Sequence, residues 1–230
     1  MTARYAIYAA PAPGTALSAF AEAWLGRDAM RGSLLPQPKV PGLSTERLLA
    51  LTAEPRLYGF HATLKPPFRL ADGCQVDDLE TAVADHARRH APICLPFLKL
   101  DRLGSFFALV PENRSDAARA LAAGCVMAFD AFRAPAPPGE TARRRAAGLT
   151  PAQEENLQRW GYPYVLEEFR LHYTLTGPVR DEDEADLLQR YLAAATIGPG
   201  TGVLIDALWL FAQAAPGAPF RIKQRYALSG

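Results

Sequence analysis

The chain has 230 residues, enough for one substantial domain or for two small lobes that share an interface. Its formal charge is +1, with 25 basic and 24 acidic residues, which argues against binding nucleic acid through a broad basic surface. The three cysteines, Cys74, Cys94 and Cys125, are odd in number and lack metal-ligand spacing, as expected for free thiols in a reducing compartment. Without a leader-like N-terminus or an apolar run of about 18 residues, we expect a cytoplasmic protein that makes no membrane contact.

Residues 1–56 predict an N-terminal strand, a helix and a loop. Tyr5 to Tyr8 is short and β-prone, and apolar residues at helical spacing follow as far as Leu25. The Pro-rich stretch from Gly26 to Gly42 predicts a surface loop, and a short helix capped by Ser44 should end at Pro55.

Two stretches of similar pattern follow, and each predicts strand, helix, strand, strand. The first is the core of lobe one, at about 57–110, and the second is the core of lobe two, at about 168–226. Residues 111–167 between them predict connecting helices and an irregular basic insert that contains Arg143, Arg144 and Arg145. We therefore predict one α+β domain, residues 1–230, of two pseudo-symmetric lobes; each has a small, mostly antiparallel sheet with helices on its outer face, and a central cleft separates them.

The tripeptide His61-Ala62-Thr63 recurs 111 positions later as His172-Tyr173-Thr174. In both copies the Thr is followed by Leu and, a few residues on, by Pro. A single His-x-Thr is usually structural, with its side chains hydrogen-bonded in a strand. Two copies with shared flanks instead predict the two halves of one site.

Strand alternation places the polar residues of each motif on one face. His61 and Thr63 should share their face with Lys65, and His172 and Thr174 should share theirs with Arg170. Lys65 and Arg170 are therefore predicted to contact the substrate, with surface ion pairs as the alternative. Tyr5, Tyr8 and Arg225 are weaker candidates.

Two imidazoles, two hydroxyls and nearby cations suit the hydrolysis of a phosphodiester. One His would act as general base on water and the other as general acid on the leaving oxygen, because a pKa near 6.5 lets both forms exist at neutral pH. The chemistry needs no metal or other cofactor, and the nearly symmetric cleft leaves open which His is the base. The oligomeric state is also open.

Other polar clusters have plainer interpretations. His86 and His90 are spaced to share a metal on one helix, but no third ligand accompanies them. The run from Arg143 to Arg145 predicts a solvated segment, with a lid over the cleft or an RNA contact as alternatives. The stretch from Trp160 to Tyr164 predicts a helix end and a packed turn, without chemistry.

The paired motifs resemble those of the two-histidine (2H) phosphoesterase superfamily, which has His-x-Thr or His-x-Ser on duplicated lobes. The stretches from Gly59 to Pro67, from Trp160 to Tyr164 and from Phe169 to Gly177 look like those of an uncharacterised bacterial branch, whose members are named for phosphonate metabolism because their genes accompany carbon–phosphorus lyase operons.

The resemblance implies that His61, Thr63, His172 and Thr174 are catalytic and that the protein opens a small cyclic phosphate without a metal. An RNA 2′,3′-cyclic phosphodiesterase or RNA-end ligase is the alternative within enzymes. A module that binds a phosphorylated metabolite or an RNA end without turnover is the alternative outside them. A small phosphorylated molecule is the expected partner, ahead of RNA.

Overall fold

The computed structural model describes residues 3–146, 148–195 and 202–230. The fold class predicted from the sequence is confirmed: the fold is α+β, with antiparallel sheets in two lobes and helices packed against them. The described helices are α1 (Ala16–Leu25), α2 (Thr45–Tyr58), α3 (Val76–Ala87), α4 (Asp116–Ala128), α5 (Pro138–Arg145), α6 (Pro151–Trp160) and α7 (Glu182–Ala195). The described strands are β1 (Arg4–Ala9), β2 (Ala62–Phe68), β3 (Ile93–Leu95), β4 (Leu98–Leu103), β5 (Phe106–Pro111), β6 (Tyr173–Thr174), β7 (Val203–Ile205), β8 (Ala207–Gln213) and β9 (Arg221–Ala227).

The two main sheets each mix strands from both halves of the sequence. One sheet has the order β2-β1-β8-β9 and the other has the order β4-β5-β6, while the short strands β3 and β7 pair with each other. Each motif strand is thus at the edge of a sheet that contains a hairpin from the other half of the sequence: β2 lies in the sheet with β8 and β9, and β6 lies in the sheet with β4 and β5. The predicted lobe cores, about 57–110 and about 168–226, are therefore wrong as physical units, because the duplicated halves exchange their motif strands.

The core lies between the sheets and the helices. Helices α3 and α4 pack on the sheet that contains β2, and α7 packs beside β4. Trp24 and Tyr173 are among the largest buried side chains, and the indole of Trp24 donates a hydrogen bond to the carbonyl of Leu175 at 2.8 Å. This bond anchors the backbone just after the second motif.

Helix α2 runs through Pro55 to Tyr58, so the prediction that Pro55 ends this helix is wrong. A proline has no N–H to donate to the carbonyl four residues earlier, which here is that of Leu51. That carbonyl accepts a hydrogen bond from the N–H of Gly177, at 2.6 Å, instead. Pro55 thereby frees an acceptor that ties helix α2 to the chain just after the second motif.

Other local predictions have mixed outcomes. Ser44 caps α2 as predicted, and Ser115 and Thr150 cap α4 and α6 in the same way. The insert predicted to be irregular contains α5, which begins with Pro138 in the first turn, where the missing N–H of a proline has no cost. Within the described ranges, no helix has both the length and the apolar character needed to cross a membrane.

Candidate active site

The two motifs lie on opposite walls of one cleft. His61 directly precedes β2 and His172 directly precedes β6, and Thr63 and Thr174 lie within those strands. A cavity of about 340 Å³ separates the two sheets here, and all four side chains line it. The prediction that the two copies meet in space therefore agrees with the geometry.

The His61 ring is held by the backbone of its own motif. Its Nδ1 lies 2.9 Å from the carbonyl oxygen of Gly59, and its Nε2 lies 3.3 Å from the hydroxyl of Thr63. A carbonyl oxygen can only accept, so Nδ1 carries the proton in this contact. In the neutral ring, Nε2 is consequently the basic nitrogen, and it faces the hydroxyl of Thr63.

The position of Gly59 requires a glycine. Its φ of +79° lies in the left-handed region, which side chains with a Cβ adopt at a cost. A Cβ on Gly59 would also lie 2.8 Å from the Cβ of Ala29. This glycine ends α2 and turns its carbonyl toward the His61 ring.

The His172 ring makes the same contact through Nδ1. Its Nδ1 lies 2.8 Å from the carbonyl oxygen of Arg170, two residues earlier, as Gly59 is two residues before His61. This contact again places the proton on Nδ1 and leaves Nε2 as the nitrogen that can take or give a proton. The two halves of the cleft thus present chemically matched imidazoles.

Burial makes the two imidazoles unequal. Desolvation lowers the pKa of His61 from 6.5 to about 4, with a smaller contribution from the charge of His172, while the hydrogen bond to Gly59 opposes the change. Desolvation also lowers the pKa of His172 from 6.5, and the carbonyl of Arg170 opposes it. His61 is therefore the more strongly held in its neutral, basic form.

Aromatic side chains form part of the cleft wall. The Tyr8 ring stacks on the His61 ring, and Tyr58, Phe106 and Tyr162 also line the cavity. Tyr8 is only a weak candidate from the sequence, and Tyr162 lies in the stretch from Trp160 to Tyr164, for which the sequence predicts no chemistry. The stretch from Trp160 to Tyr164 is similar to that of the bacterial 2H branch, and this similarity is the sequence signal that could have indicated Tyr162 as a cleft residue.

Lys65 does not line the cleft, so its predicted contact with substrate is wrong. The pairing of β2 with β1 shifts between Thr63 and Lys65, where two residues of β2 oppose a single step of β1. This bulge breaks the alternation of faces and turns Lys65 inward, where it is 1% exposed. Its Nζ donates to the carbonyl of Val126 at 2.9 Å and lies 3.6 Å from a carboxylate oxygen of Asp130.

Arg170 also points away from the cleft, so its prediction as a substrate ligand is wrong as well. Its guanidinium forms an ion pair with Asp101 at 2.8 Å, and 62% of the side chain is exposed. Arg170 lies outside the paired strand, since β6 includes only Tyr173 and Thr174. Arg170 instead contributes its backbone carbonyl to the orientation of His172.

The basic insert reaches the cleft through one residue. Arg144 lines the cavity, donates hydrogen bonds to the carbonyl of Gly161 and to Glu140, and lies over the Tyr162 ring. Arg145 instead pairs with Glu154 on the neighbouring helix. Arg4 is a second cation of the cleft wall that the sequence did not indicate.

Curated relatives match nearly the whole chain. A protein of Janthinobacterium sp. (strain Marseille) named "Ribose 1,5-bisphosphate phosphokinase PhnN" is 38% identical over 99% of this chain and 51% of its own length. A protein of the same name from Laribacter hongkongensis (strain HLHK9) is 36% identical over 95% of this chain and 50% of its own length. The chain thus spans about half the length of these relatives.

Solved structures with some likeness include that of TT0787 of Thermus thermophilus, with a TM-score of 0.48, 16% identity, and coverage of 100% of this chain and 99% of that chain. Another is that of E. coli LigT complexed with 3′-AMP, with a TM-score of 0.46, 12% identity and full coverage of both chains. Residues 63–221, a range that begins at Thr63 and includes His172 and Thr174, match a protein family. The chain belongs to that family, which is described as "Protein of unknown function (DUF1045)".

Proposed function

We propose that the protein is a metal-independent phosphodiesterase that opens a small cyclic phosphate by His/His general acid–base catalysis. The observation that carries the proposal is the matched pair of imidazoles. His61 and His172 enter one cleft from two different sheets, and each has its Nδ1 engaged by a backbone carbonyl, so that Nε2 is the reactive nitrogen.

In the proposed reaction, water attacks the phosphorus as one imidazole removes its proton. A new P–O bond to the water oxygen forms, and the P–O bond to one ring ester oxygen breaks. The other imidazole gives its proton to that oxygen, which leaves as a hydroxyl, so one water is consumed and a phosphomonoester is formed. The hydroxyls of Thr63 and Thr174 donate to the non-bridging oxygens, where negative charge develops.

The difference between the pKa values of the two imidazoles supports one assignment of the general base and the general acid. His61, whose pKa falls to about 4, is neutral over most of the working range and suits the general base. His172, whose pKa is lowered without so large a shift, is the more readily protonated and suits the general acid. A bound phosphodiester anion favours the imidazolium and raises both pKa values.

The name of the curated relatives supports a phosphorylated ribose as the substrate class, and the resemblance in the sequence supports a role in phosphonate metabolism. The relatives are named as kinases, but none of the four lysines in this chain follows a glycine, so the sequence contains no Walker A motif. We therefore propose that this chain opens a ribose cyclic phosphate and does not transfer a phosphoryl group from a nucleotide.

A panel of cyclic phosphates tests the proposal. It includes ribose 1,2-cyclic phosphate, nucleoside 2′,3′-cyclic phosphates and RNA oligonucleotides ending in a 2′,3′-cyclic phosphate, each assayed with and without chelator. The proposal expects turnover of a small cyclic phosphate that survives chelation. Preference for the oligonucleotides would favour the RNA alternative, and binding without turnover across the panel would favour a non-catalytic module.

A further inference from the structure

A second cavity adjoins the catalytic cleft. It has a volume of about 760 Å³ and shares Arg4, Tyr58 and Arg144 with the cleft, so a ligand can extend from one into the other. Its remaining lining comes from the residue that follows β2, from α5 and the residue that precedes it, and from the loop before β9. These lining residues are Arg69, Pro137, Gly139, Glu140, Arg143, Pro216 and Gly217.

The lining of this second cavity is strongly cationic. It contains four guanidinium groups and a single carboxylate, so its formal charge is +3. Glu140 lies 2.7 Å from Arg144 and 4.0 Å from Arg69. In the described part of the chain, Arg4 and Arg143 have no carboxylate within 4.0 Å, in a protein whose net charge is only +1.

Of the two unneutralised arginines, Arg4 lines both cavities and Arg143 lines the second. Arg4 is half-buried, and its Nε donates to Gln213 at 2.7 Å, which leaves both terminal nitrogens without a hydrogen-bond partner among the described residues. Arg143 is exposed on α5, one residue before Arg144. The fork of a guanidinium matches the oxygens of a phosphate, which two such groups can grip together.

We infer that this cavity, with Arg4 and Arg143, binds a second phosphate group of the substrate. The inference rests on the proposed function, and it narrows the substrate class to a cyclic phosphodiester that carries a further phosphate. The second group can be a phosphomonoester on a small sugar or the internucleotide phosphate of an RNA end. Both present the same anionic oxygens to the same guanidiniums.

The kinetic test compares paired substrates that differ only in the second phosphate. One pair is ribose 1,2-cyclic phosphate with and without a phosphate on its 5-hydroxyl; the other is a uridine 2′,3′-cyclic phosphate with and without an upstream nucleotide. The wild-type protein should prefer the doubly phosphorylated member in kcat/KM, and Arg143→Ala should raise KM for that member about tenfold. Arg143→Lys should recover part of the loss.

Arg145→Ala is the matched control, because Arg145 lies on the same helix but pairs with Glu154 and lines neither cavity. Preference for the sugar pair or for the nucleotide pair identifies the source of the second phosphate. Equal kcat/KM for both members of both pairs, with turnover intact, would overturn the inference and leave the proposed function standing.

If no substrate turns over, a binding measurement still tests the second-phosphate site independently of the proposed catalytic function. Calorimetric titration with ribose 5-phosphate and with ribose needs no catalysis. The phosphate ester should bind the wild-type protein more tightly than ribose does, with a Kd about tenfold weaker in Arg143→Ala and unchanged in Arg145→Ala. Equal weakening in the two variants, or no preference for the ester, would contradict the second-phosphate site.

Discussion

The ring of Tyr8 stacks on the ring of His61, with 3.7 Å between the ring centroids and 20° between the planes. The pairing of β1 with β2 sets this contact, because Tyr8 lies opposite Thr63, two residues after His61. Tyr8 is fully buried and covers one face of the imidazole. It therefore supplies part of the desolvation that lowers the pKa of His61.

Shortening Tyr8 should release His61 into water. We expect Tyr8→Ala to raise the pKa of His61 from about 4 toward 6.5, because burial is the main cause of the shift. The same change should lower the free energy of unfolding by about 3–5 kcal/mol, as for other large buried aromatics. NMR titration of the His61 ring and urea denaturation measure the two effects.

Tyr8→Phe is the matched control, because it keeps the ring. The Tyr8 hydroxyl is buried without a hydrogen-bond partner among the described residues, so its removal should leave stability unchanged or raise it by about 1 kcal/mol. A His61 pKa that rises equally in Tyr8→Phe and Tyr8→Ala would show that the stacked ring is not what desolvates the imidazole.

The proposed roles predict the pH dependence of kcat/KM, which reports the free enzyme. Activity should fall at low pH as the base His61 is protonated, with a pKa of about 4, and fall at high pH as the acid His172 loses its proton, below 6.5. The maximum should therefore lie on the acidic side of 6.5. The profile of kcat should shift upward, since bound phosphate raises both pKa values. A kcat/KM maximum well above pH 7 would contradict these roles.

Lys65 predicts a specific change of stability with pH. Burial lowers its pKa from 10.5 to about 8, although Asp130 opposes the shift. Between these values the unfolded chain binds more protons than the folded one, so this group makes stability rise with pH, by up to about 3 kcal/mol. Lys65→Met should lose that rise, as measured by denaturation at pH 7.5 and pH 10.

The exposed Lys99 on β4 provides the control for this prediction. Lys99→Met should follow the wild-type pH dependence. If Lys65→Met also follows it, then Lys65 is not desolvated in solution, and the inward turn at the bulge would be wrong.

Gly59→Ala should reduce stability. The positive φ at this position is strained for alanine, and the added Cβ would press on Ala29. We expect a loss of more than about 1 kcal/mol in the free energy of unfolding, together with a disturbed His61 ring. Gly139→Ala is the control, because a Cβ added there would have no atom within 4 Å and its φ is not positive, so stability should hold or rise slightly. Equal effects in the two variants would contradict the special role of Gly59.

The sequence predicted what depends on local patterns. The duplicated order of strand, helix, strand, strand is present, with β3 and β7 as additional short strands, and the predicted cap at Ser44 depends only on neighbouring residues. The repeated His-x-Thr motif also led to the correct expectation that His61 and His172 line one cleft. These features follow from residues close together in the chain.

The sequence did not predict what depends on partners far away in the chain. The bulge that buries Lys65 is set by the register with β1, and the helix continues through Pro55 with Gly177 supplying the donor that Leu51 lacks. The exchange of motif strands between sheets likewise depends on long-range pairings, such as Ala108 with Thr174 and Tyr8 with Trp209. Strand alternation alone therefore misplaced Lys65 and Arg170.

The most direct test of acid–base catalysis by the two imidazoles uses histidine variants on the best substrate of the cyclic-phosphate panel. Opening of the ring is followed by phosphorus NMR in the presence of chelator for the wild-type protein, His61→Ala, His172→Ala and the control His90→Ala, whose ring lies outside the cleft. We predict that wild type and His90→Ala open the ring at similar rates, and that each cleft variant is slower by about 10² to 10⁴. Near-wild-type opening by either cleft variant would contradict the proposed mechanism.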